Sequence, residues 1–297
     1  MRATDARTIT AALGGRWTGN SGSACCPAHE DHSPSLSIAD GAEGRLLLHC
    51  HAGCTFHEIR DALRARGIIA ENGGFRPIGP ICRAQREDIE KTNAAKRKRQ
   101  VADLWKTAAP IARSPAERYL RGRGISCALP STLRYQKECW HPTAMRCPAM
   151  ISSIDIINIR TVAVHRIYLR DDGSGKASIS PAKAMLGPAG GGAVHLSKSN
   201  GPLVVTEGIE TGLSLLSGVF PRPASIWAAL SAPGMKNLQL PATPSELVIA
   251  ADGDPVGRAA AEALASRAHA LGWRVSMLPA PEGFDWNDVL TGKVVRR

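Results

Sequence analysis

The chain has 297 residues, enough for two or three compact units of ordinary domain size. Hydrophobic residues make up 43% of it and aromatics only 4%. No apolar run approaches the roughly 20 residues a membrane helix needs, and Met1–Leu13 lacks the apolar core of a secretory leader. A soluble, cytoplasmic protein with no membrane partner is expected. The formal charge of +11 is unevenly placed: residues 1–200 hold 29 Lys and Arg against 17 Asp and Glu, whereas residues 201–297 hold 8 against 9. A basic body joined to a near-neutral, acid-bearing end fits a protein that grips phosphates with one part and does metal chemistry with another.

Residues 1–70 read as a small module rich in Cys and His. Short strand-like runs at 35–38 and 45–49 precede a helix pattern at Thr55–Arg66, with Phe56, Ile59, Ala62 and Leu63 on one face. Four of the eight cysteines crowd into this stretch, which argues for a metal rather than a disulfide framework in a chain with no export signal. Cys26-Pro-Ala-His29 and Cys50-His-Ala-Gly-Cys54 form two close pairs of soft ligands around a strand-rich insert, as a tetrahedral structural zinc site requires. Cys26, His29, Cys50 and Cys54 are the expected ligands, and Cys25, His32, His49 and His51 stand near enough to compete.

Residues 71–112 begin with a Gly/Pro-rich linker at 72–80 and continue as an exposed basic helix over Arg83–Lys106, with the run Lys96-Arg-Lys-Arg99. Residues 113–200 mix a short helix at Pro115–Arg123 with strands such as Ala163–Leu169 and many turns. Ser174-Gly-Lys-Ala-Ser178 is not a phosphate loop, lacking both the upstream glycine and a Ser or Thr directly after the lysine. Cys139, His141 and Cys147 have no fourth ligand at a matching spacing and are read as structural.

From residue 201 short apolar strands (203–206, 225–230, 247–251, 274–278) alternate with helices (210–217, 256–271), which predicts a doubly wound, largely parallel sheet. Ligands of such sheets sit at the carboxyl ends of the strands. Glu207 directly follows the first strand, and Asp252 and Asp254 directly follow the third. Carboxylates at i and i+2 in extended backbone point the same way, so Asp252 and Asp254 can share one hard cation. Phe284-Asp-Trp-Asn-Asp288 offers Asp285 or Asp288 to the same rim, and the choice between them stays open.

A strand ending in Glu-Gly, then a strand ending in Asp-x-Asp about 45 positions later, resembles the Toprim domain of DnaG-type primases, topoisomerases and certain nucleases. The Cys-Pro-x-His pair with a following Pro34-Ser35 resembles the CHC2-type zinc finger of primases, although the second pair is Cys-x3-Cys rather than Cys-x2-Cys. The stretch His165–Leu169, Lys176 and Pro181–Gly187 is similar to the segment before Toprim in mobile-element primases. These resemblances imply an α+β and α/β multidomain protein. It would have a zinc-ribbon-like module at 1–70, a basic linker helix at 71–112, a mixed α+β domain at 113–200 and a Rossmann-like Toprim domain at 201–297.

The activity so implied is synthesis of short primers on single-stranded DNA from nucleoside triphosphates, without a helicase segment in the chain and so with a separately encoded replicative helicase as a possible partner. Mg²⁺ or Mn²⁺ would be held by Asp252, Asp254 and Asp285 or Asp288, Glu207 would ligate metal or assist proton transfer, and structural Zn²⁺ would sit in the N-terminal module. Arg166, Lys176, Lys183 and Lys198 are the expected contacts to template and triphosphate. A Toprim nuclease or topoisomerase-like enzyme, or a non-catalytic DNA-binding accessory, are the alternatives.

Overall fold

In a computed structural model, residues 5–31, 34–41, 46–70 and 80–293 are described, with the backbone alone for 80–90. The chain divides into two compact units, 1–91 and 92–297.

The first unit builds on an antiparallel sheet of β1 (Arg16–Thr18), β2 (Ser21–Ala24), β3 (Leu36–Asp40) and β4 (Leu46–Cys50), in that order. Helix α1 (Ala6–Ala12) is capped by the Asp5 carboxylate, and a Cβ at Gly22 would strike the Thr10 side chain, so only glycine lets α1 lie this close to β2. Helix α2 (Phe56–Ala65) opens with a reciprocal capping box between Thr55 and Glu58 and buries Ile59 and Leu63. Ile9, Leu36, Ile38, Ile59 and Leu63 form its core together with Cys26 and Cys50. The expected strands and the 55–66 helix fall within one or two residues of these elements. The linker expected at 72–80 lies outside the described residues except for Pro80, where α3 (Pro80–Thr107) begins.

In the second unit, residues 91–100 of α3 are exposed, and its last turns bury Val101 and pack Leu104 and Trp105 against a five-stranded antiparallel sheet. That sheet runs β5 (Ala109–Pro110), β6 (Leu133–Trp140), β7 (Arg146–Ile156), β8 (Ile159–Tyr168), β9 (Lys183–Leu186). Its other face meets helix α4 (Pro115–Gly122) and a second sheet of order β10 (Val194–His195), β12 (Ser225–Ala228), β11 (Leu203–Thr206), β13 (Glu246–Ala250), β14 (Arg274–Met277). Strands β12, β11, β13 and β14 are parallel, as the alternating pattern predicts, and β10 adds an antiparallel edge.

Helix α5 (Ile209–Ser214), which runs into a π-helical turn at Leu215–Val219, and α8 (Trp286–Leu290) cover the face of the parallel sheet turned toward the antiparallel one. Helices α6 (Ala232–Asn237) and α7 (Pro255–Ala270) cover the opposite face. Met150, Ile154 and Ile167 of the first sheet share a core with Val204, Ile226 and Val248 of the second. Burial at roughly 25 cal/mol per Å² of apolar surface therefore holds the two sheets as one body and fixes what they carry at the junction.

Candidate functional site

Strands β11 and β13 are direct parallel neighbours with Thr206 paired to Ala250. Glu207, the next residue on one strand, and Asp252, two residues past the end of the other, therefore emerge at the same carboxyl edge. The turn that carries Asp252 and Asp254 is laced to the loop before α8: the Gly253 amide donates to the Phe284 carbonyl at 2.8 Å, and the Gly283 amide to the Gly253 carbonyl at 3.0 Å. A Cβ at Gly253 would strike the Pro281 carbonyl oxygen, so a glycine is required for the two loops to close on each other. That closure brings Asp285 to the rim.

Asp254 is the N-cap of α7, one carboxylate oxygen accepting the Gly257 amide at 2.6 Å. Asp285 caps α8 in the same manner through the Asp288 amide at 2.8 Å. Each cap fixes a carboxylate by one oxygen and leaves the other available. Capping and metal binding are thus compatible roles for one aspartate.

The acids feel one another. Burial, then Glu207 and Asp285, raise Asp252 to about 7, against a hydrogen bond from Thr211 Oγ1 at 3.3 Å that favours the charged form. Burial and then Asp254 raise Glu207. Asp288 behaves oppositely: Lys293, 2.7 Å away, lowers it, and its other oxygen reaches back to the Asp285 amide. Of the two acids left open above, Asp285 is the one whose charge acts on Asp252.

A cation would offset the burial and mutual repulsion that raise Asp252 and Glu207, and an all-oxygen donor set suits Mg²⁺ or Mn²⁺. Their oxygens do not converge as a structural metal cage does. Among the described residues, the group of three or more ligand-bearing side chains gathered within 4.8 Å is Cys26, His29, Cys50 and Cys54. A looser acid set suits ions that keep part of their water and bind substrate oxygens as well.

The four zinc candidates do converge. His29 Nδ1 lies 3.2 Å from Cys54 Sγ and 3.9 Å from Cys50 Sγ, close to the ~3.5–3.8 Å edges of a tetrahedron with ordinary zinc bond lengths. Burial pushes the Cys26 thiol up to about 12, whereas, against burial, the backbone amides of Cys54 and Ala52 help to hold the neighbouring Cys50 thiol down to about 6. On the far side of the His29 ring, Nε2 lies 3.8 Å from Asp31, whose carboxylate accepts the Cys26 amide at 2.7 Å and the Ser35 hydroxyl at 2.5 Å. That carboxylate stands on the side of the imidazole where outer partners of metal-bound histidines are found.

Among the competitors, His49 and His51 are exposed, and His51 shares a hydrogen bond with Ser37 at 3.0 Å. Cys25 stands outside the cluster, and His32 lies outside the described residues. Cys139 faces Cys147 across β6 and β7, and His141 is buried between Thr143 and the Pro181 carbonyl.

The four basic candidates divide. Lys183, at the start of β9, opposes the rise of Glu207 and helps to lower Glu210, so its ammonium is within electrostatic reach of both, and Lys176 Nζ lies 3.1 Å from Glu210. Arg166 is corrected: it is buried, and its guanidinium donates to the carbonyls of Trp140 and Met185, because β8 is covered on both faces. Lys198 is corrected too. It precedes β11 at the level of Ser225, the first residue of β12, and so lies at the amino edge of the parallel sheet, opposite the acids.

Counting charges along the units, residues 1–91 hold 11 basic and 11 acidic side chains and residues 92–200 hold 18 and 6. The basic excess belongs to the second unit. Sequence reasoning also missed Glu210, Thr211 and Tyr119. Glu210 is 6% exposed, and its signal was an acid on a helix whose remaining residues are all small or apolar.

The edge acids on parallel strands, carried by a sheet with helices on both faces, define a Toprim domain. Residues 202–293 match the family model described as the Toprim domain, and residues 95–196 match a model described as a domain of unknown function, DUF7146. The Cys/His cluster of the first unit fits a CHC2-like zinc finger. No curated protein sequence matches the chain.

Among solved structures, the chain is similar to the zinc-binding and RNA polymerase domains of the Aquifex aeolicus primase, with 14% identity over 96% of this chain and 79% of that one and a TM-score of 0.46. It is also similar to a DNA primase domain from Pseudomonas aeruginosa, with 17% identity over 66% and 75% and a TM-score of 0.43. The primase fragment of the bacteriophage T7 primase-helicase gives 16% identity over 62% and 70%, with a TM-score of 0.36. Among the described residues no helix is long and apolar enough to cross a membrane.

Proposed function

We propose that the protein is a primase that joins nucleoside triphosphates into short primers on single-stranded DNA in the cytoplasm. The observation that carries the reading is the acid cluster Glu207, Asp252, Asp254 and Asp285 at one edge of a Toprim sheet, with Lys183 acting on Glu207 and Lys176 paired to the neighbouring Glu210. Two-metal nucleotidyl transfer needs that pairing of acids for cations and cations for phosphate. A Cys/His module ahead of the Toprim domain supports primer synthesis over nicking or strand passage.

Asp252, Asp254 and Asp285 would hold Mg²⁺ or Mn²⁺, which supplies charge neutralisation at the triphosphate and activation of the attacking 3′-hydroxyl. Glu207 shares that edge, and with its carboxyl raised it is placed to ligate metal or take a proton from the hydroxyl. Lys183 and Lys176 would hold the triphosphate, and the exposed Lys96-Arg97-Lys98-Arg99 turn of α3 would supply charge for the template backbone. The zinc module, residues 1–70 in this reading, would contact template. A separately encoded helicase is a fitting partner.

The test is a priming assay on unprimed single-stranded DNA with Mg²⁺ and all four nucleoside triphosphates. Short oligonucleotides are expected from the native protein and none from Asp254→Ala. Metal-dependent nicking without added nucleotides would instead select the nuclease reading.

A further inference from the structure

The function above uses Glu207 and leaves the second glutamate of Glu207-Gly-Ile-Glu210-Thr211 unassigned. Glu210 is buried in the first turn of α5, at the junction of the two sheets. Its Oε1 accepts the Tyr119 hydroxyl of α4 at 2.7 Å and lies 3.1 Å from Lys176 Nζ, from the loop between β8 and β9. Three segments distant in sequence thus meet on one oxygen.

A buried ion pair is a poor way to gain stability, because desolvation offsets most of the attraction and apolar residues of similar size serve as well. The uneven burial of this pair points to another role. The Glu210 side chain is 8% exposed and that of Lys176 is 32% exposed, so the carboxylate is sealed while the ammonium reaches the surface with N–H directions to spare. Lys183 acts on both Glu207 and Glu210, so it stands within electrostatic reach of each. Behind the pair, buried His165 on β8 presents an Nδ1 with no hydrogen-bond partner, and burial pulls it down to about 4, so it remains neutral. Lys183 thus brings positive charge to Glu207 at the acid edge, and Lys176 is pinned to Glu210 three residues further along the chain.

We propose that Glu210 is a positioning residue: it holds the Lys176 ammonium at the rim of the acid cluster as a fixed contact for the triphosphate of the incoming nucleotide, and Tyr119 locks the carboxylate in place. This rests on the primase reading for its substrate class. Glu210 is the second residue of α5 and stands three positions after Glu207, so the start of α5 sets the spacing between the metal edge and the phosphate contact. A lysine on a free loop would spread over many rotamers and lose that register.

The experiment uses the full-length protein and Glu210→Gln, which keeps the shape and one acceptor while removing the charge. Calorimetric binding of magnesium tripolyphosphate is measured beside KM and kcat for nucleotide, and the acetylation rate of Lys176 is read by mass spectrometry. Loss of a charge-assisted hydrogen bond predicts about tenfold weaker tripolyphosphate binding and a KM raised about tenfold, with kcat within a few-fold. Lys176 should label faster. In a double-mutant cycle with Lys176→Met, the losses should fail to add.

Unchanged tripolyphosphate affinity with unchanged Lys176 labelling, or losses that add fully, would overturn the proposal. Should Glu210→Gln fail to fold, Tyr119→Phe must still give a smaller shift in both readouts in the same direction, and no shift overturns it. A native protein that binds tripolyphosphate through Lys176 yet makes no primers would refute the primase reading and leave the positioning role standing.

Discussion

Replacing Asp252 with asparagine should stabilise the metal-free protein while abolishing its metal response. In the folded chain burial, Glu207 and Asp285 raise Asp252 from 3.8 to about 7. Its folded value lies above its unfolded one, so the native state binds the extra proton between about pH 4 and pH 7, and stability falls as pH rises through that window. Above it, the full cost of an ionised Asp252 is present. At ~1.4 kcal/mol per pH unit the shift corresponds to about 4 kcal/mol, and solvent screening of a half-buried group reduces this to about 2 kcal/mol.

Asp252→Asn removes that cost. At ~2–4 °C per kcal/mol for a unit of this size, Tm at pH 8 without divalent ions should rise by roughly 4–8 °C. Native protein should gain stability on addition of Mg²⁺, by the mass-action relation for a ligand of the folded state, and Asp252→Asn should not. Differential scanning calorimetry at pH 5 and pH 8, with and without Mg²⁺, measures all four conditions. A variant that melts lower than native at pH 8 in the absence of metal, or that responds equally to Mg²⁺, would refute the picture of an acid cluster strained by its own charge.

Removal of zinc, or Cys50→Ser, should unfold residues 1–91 and leave the melting of 92–297 in place, which zinc content and two-transition calorimetry would register; a single unchanged transition speaks against a structural metal. Asp285→Ala should lower kcat by at least about a hundredfold and Asp288→Ala by less than about threefold, since only the former acts on Asp252; steady-state priming rates decide it. Arg166→Ala should lower Tm through orphaned Trp140 and Met185 carbonyls, and Lys198→Ala should change neither Tm nor DNA affinity in a fluorescence anisotropy titration.

The acid edge was readable because each of Glu207 and Asp252 terminates an apolar run, and a parallel sheet places all such ends on one side. The Cys/His cluster was readable from the spacing of its two pairs, although Cys25, His32, His49 and His51 stood near enough to compete. Glu210 was not, because its burial depends on Tyr119 and Lys176, which lie 91 and 34 positions away in the chain, and nothing local announces either contact. Lys198 misled because closeness in sequence to the first Toprim strand says nothing about which edge a loop occupies. Arg166 misled because β8 is covered by α3 on one face and by the parallel sheet on the other, and a charged residue in a run such as Val164–Tyr168 does not reveal that both sides are closed. The two-residue β10 is too short to leave a periodic signal, and its place is set by pairing with Trp227 and Ala228.

The measurement closest to the central claim is de novo synthesis on a single-stranded template that carries no primer. Oligonucleotides should appear only with Mg²⁺ or Mn²⁺, should keep the 5′-triphosphate of their first nucleotide, and should stop at the template base whose complement is withheld. Glu207→Gln should reduce their yield by at least about a hundredfold. Product formed equally well by Glu207→Gln, or no product from a zinc-loaded native protein on any template, would contradict the account.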